Sequence, residues 1–194
     1  MNRLIKCSQL VLMVAGLTIF SHALKAQDMK GFVLGAEAAK RAKTRDEISL
    51  DTARKIAEHC FKQATERKMG ASIFVLSPSG QIVYALRSDG QTPIGVETAL
   101  LKAKTALFMR GSTHAEMNRM IQNPARDATL RPLQSEFGLF WNSGGLPIVV
   151  NDVLIGAIGV GGMAPSAEWS DEICANNALA AVLGPQPPLA PFLP

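Results

Sequence analysis

The fold is decided by the stretch Gly144-Gly145-Leu146-Pro147-Ile148-Val149-Val150-Asn151-Asp152-Val153-Leu154-Ile155-Gly156-Ala157-Ile158-Gly159-Val160-Gly161-Gly162. This stretch predicts two apolar strands joined by Asn151-Asp152, because both residues tolerate the positive φ that a two-residue hairpin turn requires. Neither face of the second strand is polar, so we expect both faces of the hairpin to be covered. Glycines inside a strand indicate that something approaches the backbone closely, here a helix, a neighbouring subunit or a flat ligand.

The rest of the chain predicts consecutive pairs of strands separated by helices. The expected elements are a helix that begins at Ser49 or Asp51 and ends at Gly70, strands over 71–77 and 81–87, helices over 96–109 and 113–122, an irregular segment over 123–135, a short strand over 137–141, the hairpin, and a helix over 166–183. Paired strands indicate the α+β class, with an antiparallel β-sheet flanked by helices. Since few helices remain to cover a sheet that is apolar on both faces, we expect a homo-oligomer.

Residues 1–26 have the pattern of a secretory signal peptide. Its apolar run, Leu10 to Phe20, is too short to span a bilayer, so we expect no membrane span after cleavage and a periplasmic or secreted location. Cleavage after Ala23 and cleavage after Ala26 both remain open. We divide the chain into this signal, a lead-in segment over 27–47, a domain over 48–184, and a proline-rich tail over 185–194 with no core to join.

The formal net charge of +4 does not indicate a nucleic-acid partner. Three basic residues lie in segment 1–26, and the remainder has 17 basic and 16 acidic residues. A nucleic-acid-binding protein normally carries a basic patch on its folded domain. We therefore exclude that class.

Two of the three cysteines, Cys60 and Cys174, lie outside the signal peptide. Both fall on apolar faces of predicted helices, which favours two buried free thiols. A disulfide between the first and last helix is the alternative, since an exported protein can form one.

Familiar enzyme motifs are absent or out of context. Gly159 to Ala164 satisfies the dinucleotide pattern G-x-G-x-x-A, but no second strand follows and no acidic residue comes after Glu172. The sequence contains no G-x-S-x-G elbow and no H-E-x-x-H pair. The acids Glu168, Asp171 and Glu172 are expected to complement a helix dipole, with a weak cation site as the alternative.

The histidine of interest is His114, at the start of the predicted helix 113–122. Its neighbours in sequence include three methionines, Met109, Met117 and Met120. A neutral imidazole in an apolar, sulfur-rich setting suits a haem iron. The alternative is that Thr113 only caps the helix and the methionines belong to the core. His59 lies off the apolar face of the first helix and is expected to be structural.

Four motifs, in this order, resemble those of the GlcG/HbpS-like family of haem-binding domains, which includes the C-terminal domain of PduO-type corrinoid adenosyltransferases. They are Arg87-Ser88-Asp89-Gly90, Lys102-Ala103-Lys104-Thr105-Ala106, Gly144-Gly145-Leu146-Pro147-Ile148 and Gly156-Ala157-Ile158-Gly159-Val160. The resemblance covers about Ile48 to Gly184. It departs at Gly161, where the family usually has serine, and in a longer loop before Asp171.

The resemblance implies an antiparallel sheet flanked by helices, assembly into multi-subunit particles, and binding of haem or a related planar tetrapyrrole. The implied site has His114 as the iron ligand, Thr113 and Met117 beside it, and Gly144, Gly145 and Gly159 admitting the edge of the macrocycle. Some members are secreted and link haem or iron to redox sensing, so a periplasmic redox or sensor protein is a possible partner.

Two other functions remain open. One is an enzyme that acts on a small hydroxy or keto acid, with Arg87 or Lys102 holding the carboxylate. The other is a structural partner module of a periplasmic redox system. We favour a binding protein over an enzyme.

Overall fold

The computed structural model describes residues 46–163, 166 and 168–193. The elements are helix α1 (Leu50–Glu66), strands β1 (Ser72–Leu76) and β2 (Ile82–Arg87), helices α2 (Pro93–Met109), α3 (Thr113–Gln122) and α4 (Pro124–Phe137), strands β3 (Gly145–Val150) and β4 (Val153–Gly161), and helix α5 (Asp171–Leu183). The predicted signal peptide and all but the last two residues of the lead-in segment lie outside the described residues. Every helix in the described ranges is too short or too polar to cross a bilayer.

The four strands form one antiparallel sheet in the order β2-β1-β4-β3, which confirms the α+β prediction. The β3–β4 hairpin turns at Asn151 and Asp152, whose φ angles are 50° and 63°, as the sequence predicts. Strand β1 pairs with β4 in a register that places Ile73 opposite Val160 and Val75 opposite Ile158.

Helices α1 and α5 cover one face of the sheet and form the main apolar core with it. Branched side chains of the strands, including Ile73, Val75, Ile158 and Val160, pack there against the buried face of α1. Cys60 and Cys174 form a disulfide that joins the two helices, with their Cα atoms 5.2 Å apart. The preference for free thiols was therefore wrong, because the two apolar helix faces pack directly against each other.

Helix α2 covers the other face, and its backbone contacts the glycines of β4. A Cβ atom added at Gly159 would lie 2.1 Å from the carbonyl oxygen of Ala99, and one at Gly161 would lie 2.6 Å from that of Gly95. Of the three partners considered for the glycine hairpin, the helix is the one that the structure shows. The prediction of an oligomer assumed that one chain has too few helices to cover both faces of the sheet. That assumption was wrong, since the helices of one chain cover both faces.

Three element boundaries differ from the prediction. Helix α4 lies where an irregular segment and a short strand were expected; it begins at a cap on Asn123, whose side chain accepts from Arg126 N, and ends at Gly138 with φ 60°. It has no fully buried residue, and only Leu130 and Leu133 pack partly buried against an apolar cluster, so its sequence shows a short apolar pattern. Helix α1 ends with Lys68 in the left-handed region rather than at Gly70, and α5 begins at Asp171 rather than Ser166.

Candidate functional site

His114 is fully buried in the first turn of α3 and is held there by a carboxylate from α5. The N-cap Ser112 places the helix start, with its hydroxyl accepting from Ala115 N at 3.1 Å. Nδ1 of His114 lies 2.9 Å from Oε2 of Glu172, and the two side chains are 0% and 1% exposed. The ring is therefore fixed by a buried hydrogen bond to a carboxylate. Hydrogen bonds to an ionised group are stronger than those between neutral groups.

Two serine hydroxyls also donate to Glu172, Ser112 Oγ to Oε1 and Ser143 Oγ to Oε2, the latter at 3.5 Å. Because an ionised carboxylate can only accept, Nδ1 of His114 carries the hydrogen of this bond. A neutral imidazole in that tautomer has its lone pair on Nε2. The arrangement thus leaves Nε2 as the nitrogen that can coordinate a metal.

Nε2 of His114 has no hydrogen-bond partner among the described residues. Three other buried side-chain atoms there share this property, on Ser72, Asn118 and Trp141. A hydroxyl, an amide oxygen and an indole are poor ligands for iron, whereas an imidazole nitrogen is a common one. Since buried polar atoms are normally satisfied, the open Nε2 marks His114 as a ligand-binding candidate.

A second buried ion pair lies next to the first, on the preceding residue of α5. Nζ of Lys102 is 2.7 Å from Oδ2 of Asp171 and 3.1 Å from the carbonyl oxygen of Val160, and Met163 N donates to Oδ1 of Asp171 at 3.2 Å. Burial raises the pKa of Asp171, against the opposing effect of the Lys102 ammonium. The adjacent carboxylates Asp171 and Glu172 in the first turn of α5 thus bind α2 and α3, respectively.

A small cavity of about 130 Å³ adjoins the Lys102–Asp171 pair. It is lined by polar side chains and two large apolar ones: Lys102, Asn142, Ser143, Met163, Ser170, Asp171 and Phe192. Lys102 is already neutralised by Asp171, so it does not present a free cation to a carboxylate ligand. Arg87, the other residue considered for that role, lies exposed on the edge strand β2.

Thr113 is buried beside His114, but both functions of its hydroxyl are used within the chain. Oγ1 donates to the carbonyl oxygen of Asn142 and accepts from Gly145 N at 3.1 Å. Thr113 therefore fastens the start of α3 to the start of β3. This contact positions His114 relative to Ser143 without leaving the hydroxyl for a ligand.

The three glycines predicted to admit a macrocycle lie at contacts within the chain. A Cβ at Gly144 would meet Val160 O at 2.5 Å and Asp171 Cβ at 2.7 Å, and one at Gly145 would meet Lys102 O at 2.4 Å. Gly159 is covered by α2, as described above. All three allow α2 and α5 to approach the strands, and that role accounts for them without a ligand.

The methionines near His114 pack elsewhere. Met120 is buried in a second apolar cluster with Leu139 and Trp141, and Met109 and Met117 pack against that cluster. This is the core role considered as the alternative for them. The role of Met117 as a ligand contact stays a prediction.

The expectation that the tail has no core to join was wrong. After Gly184, which has φ 97°, the chain folds back so that Leu189 packs against the main core. Nδ2 of Asn118 donates to the carbonyl oxygen of Pro191 at 2.8 Å, and the ring of Phe192 lies 4.3 Å from that of His114. A tail residue therefore covers the histidine.

Sequence reasoning found His114 but missed the groups that define its environment. Glu172 was assigned to the helix dipole, and Ser143 and Phe192 were assigned no role. Only the acidic pair Asp171-Glu172 at a helix start was visible as a signal. Glu172 pairs with His114, 58 positions away, and Asp171 pairs with Lys102, 69 positions away. Both pairings depend on the tertiary fold.

Comparison with known proteins shows the family and the fold. Residues 48–180 match the family described as "Haem degrading protein HbpS-like". An uncharacterised 15.0 kDa protein of Citrobacter freundii is 30% identical over 132 residues, which are 68% of this chain and 89% of that protein. The crystal structure of a Streptomyces reticuli HbpS double mutant is similar at a TM-score of 0.63 and 30% identity, covering 78% of this chain and 94% of that one.

A PduOC–haem complex has the same fold. Its TM-score is 0.61 at 23% identity, and the match covers 70% of this chain and 95% of that one.

Proposed function

The chain belongs to the HbpS-like family, and on that premise we propose that it binds haem, with Nε2 of His114 as the iron ligand. The observation that carries the proposal is the buried, unpartnered Nε2 of a ring whose other nitrogen is held by Glu172. The family description, which names haem as the molecule acted on, supports the choice of ligand. The proposal concerns binding and does not extend to degradation.

If haem binds, His114 would hold it through Nε2, and the haem would supply an iron that an imidazole nitrogen can coordinate. In this chain, Glu172 accepts from Nδ1 of His114, which fixes the tautomer and makes the imidazole a stronger donor. Ser112 and Ser143 hold the carboxylate from the other side. Asp171, the residue before Glu172, pairs with Lys102. The two charges of that pair therefore compensate each other next to the apolar ligand.

A titration with ferric haem tests the proposal. We expect the wild type to shift the Soret band at 1:1 stoichiometry, and His114→Ala to lose the shift or bind at least about tenfold more weakly. His59→Ala is the matched control, since the ring of His59 hydrogen-bonds to Gln63 of its own helix and should leave the titration unchanged. An unaltered spectrum in His114→Ala would reject the assignment.

Glu172→Gln separates orientation from charge. The amide oxygen can still accept a hydrogen bond from Nδ1, but it lacks the negative charge of the carboxylate. The imidazole should therefore donate less electron density to the haem iron. We expect binding to persist with a higher reduction potential, measured by spectroelectrochemistry. A variant with unchanged potential would mean that His114 is not the iron ligand.

We also propose that the protein is exported. The pattern of residues 1–26 supports this, and so does the Cys60–Cys174 disulfide, since disulfides persist mainly in oxidising compartments. N-terminal sequencing of protein from a periplasmic fraction should read a chain that starts at Leu24 or Gln27. Recovery of the intact chain from the cytoplasm would contradict export.

A homo-oligomer that passes haem or redox information to a partner is the last part of the proposal. Exposed apolar side chains support an interface between subunits: Val149, Val150 and Val153 at the tip of the hairpin, and the stacked pair Phe108 and Phe137. Light scattering after gel filtration gives the subunit number. A monomer at micromolar concentration would exclude this part.

A further inference from the structure

Residues 185–193 run past the His114 ring, and Phe192 of this segment contacts it. We infer that this segment is a lid, and that it must lift before a ligand can reach Nε2 of His114. The inference rests on the proposed function for the identity of the ligand, but not for the motion. It follows from how His114 is buried and from how the segment is attached.

Phe192 is one of the side chains packed against the buried His114. The His114 side chain is 0% exposed, its Nδ1 faces Glu172, and Phe192 stacks on the ring at 4.3 Å with an interplanar angle of 35°. Phe192 itself remains 52% exposed, so it gains only part of the burial that a core aromatic has. Because Nε2 is buried, a ligand can reach it only if a group packed around His114 moves, and the half-exposed Phe192 is such a group.

The attachment of the segment is sparse. Its polar link to the domain is the bond from Asn118 Nδ2 to Pro191 O, and its main apolar anchor is Leu189. A further side-chain hydrogen bond of this segment is local, from Gln186 Nε2 to the carbonyl oxygen of Gly184, two residues earlier. The segment forms no helix and no strand, so lifting it would break no regular secondary structure.

A cavity of about 300 Å³ lies beneath the segment. Leu146, Pro147 and Leu179 line it from the domain, and Pro187, Pro188 and Leu189 line it from the segment. Unfilled volume at this contact means that few atom pairs hold the segment down. The prolines limit its conformations, so it can move as a stiff arm rather than unravel.

Two measurements on the full chain test the lid. The first is the rate at which diethyl pyrocarbonate modifies His114, followed by mass spectrometry, with His59 as the internal reference. The second is the rate of haem association in a stopped-flow instrument. The variants are Phe192→Ala, Asn118→Ala and a chain that ends at Gly184; Phe137→Ala, which removes an equally exposed phenylalanine from α4, is the matched control.

We expect Phe192→Ala to raise both rates about two- to tenfold, the range for the loss of one aromatic contact, and the shortened chain to raise them further. His59 modification should not change in any variant. Phe192→Ala truncates a half-exposed side chain and should fold, so it carries the test if the shortened chain, or the variant at the buried Asn118, loses stability.

Equal His114 modification rates in the wild type, Phe192→Ala and Asn118→Ala would overturn the lid, as would an equal increase in Phe137→Ala. Faster modification without any haem uptake would uphold the lid and reject haem as the ligand. Haem uptake at His114 with rates that no tail variant changes would uphold the proposed function and reject the lid.

Discussion

The two sides of the sheet are built on different principles. On the side of α1 and α5, large branched side chains fill the space and a disulfide fixes the helices. On the side of α2, small residues bring the helix backbone onto the strands, and buried charge gathers around it in α2, α3 and the first turn of α5. The side of α1 and α5 provides stability. The side of α2 provides a polar site, and the close packing of α2 on the strands keeps water out of it.

The largest effect on stability should come from breaking the buried ion pair on the α2 side. Lys102→Met leaves Asp171 buried without its counter-ion, which we expect to lower the free energy of unfolding by about 3–5 kcal/mol. Asp171→Asn added to Lys102→Met should recover part of this loss, because the unpaired charge is gone. Urea unfolding measures both; equal stability of single and double variants would show that the pair is not buried as described.

Removing the disulfide tests the other side. The bridge closes a loop of 114 residues, so Cys60→Ala with Cys174→Ala should cost about 2–5 kcal/mol. The haem titration of the double variant should stay unchanged while it is folded, because the bridge lies on the opposite face from α2. A changed titration would indicate that the two sides are coupled.

Two neighbouring residues on β4 give the sharpest contrast. Gly159 faces α2 and Ile158 faces α1 and α5, so Gly159→Ala should cost about 1–3 kcal/mol from a collision with the helix backbone. Ile158→Val should cost about 0.5–1.5 kcal/mol from a small cavity. Thermal unfolding compares them, and the reverse order would contradict the assignment of faces.

The smallest effect is a pH dependence at α3. Burial acts to raise the pKa of Glu116, but hydrogen bonds from Arg126 and Arg119 outweigh it and hold this pKa below its ordinary value. A depressed pKa in the folded state contributes stability above the unfolded value of about 4.3, and the contribution is lost as the pH falls through the folded value. The wild type should therefore lose its advantage over Glu116→Gln below about pH 4.3.

Local patterns predicted much of this fold. The positive φ of Asn151 and Asp152, the apolar faces of the strands and the cap of α1 are all consequences of nearby residues, and each was visible in the sequence. The cap of α3 is Ser112, one residue before the Thr113 considered for it. Helix α4 was not visible, because it has no fully buried residue and its apolar residues at helical spacing are limited to Leu130, Leu133 and Phe137. Its Asn-Pro start and Gly138 stop were present, but with so short an apolar pattern the segment was interpreted as irregular.

The candidate site was predictable only in part, for a related reason. His114 stands out by residue type, but its partner Glu172, its cover Phe192 and the covering of Gly159 by Ala99 depend on contacts between distant segments. Spacing along the chain carries no trace of such contacts. The family resemblance supplied the ligand class, whereas the environment of Nε2 required the structure.

The strand order also bears on how the chain folds. The central pair of the sheet joins β1, near the start of the domain, to β4, near its end, so that Ser72 meets Gly161 and Leu76 meets Ala157. The sheet cannot close until nearly the whole domain has been synthesised, and pairing over such distances is slow, on the order of milliseconds to seconds in domains rich in non-local contacts. Until then the first helix and hairpin lack their partners, which would give a secretion machinery time to engage the chain before it becomes compact.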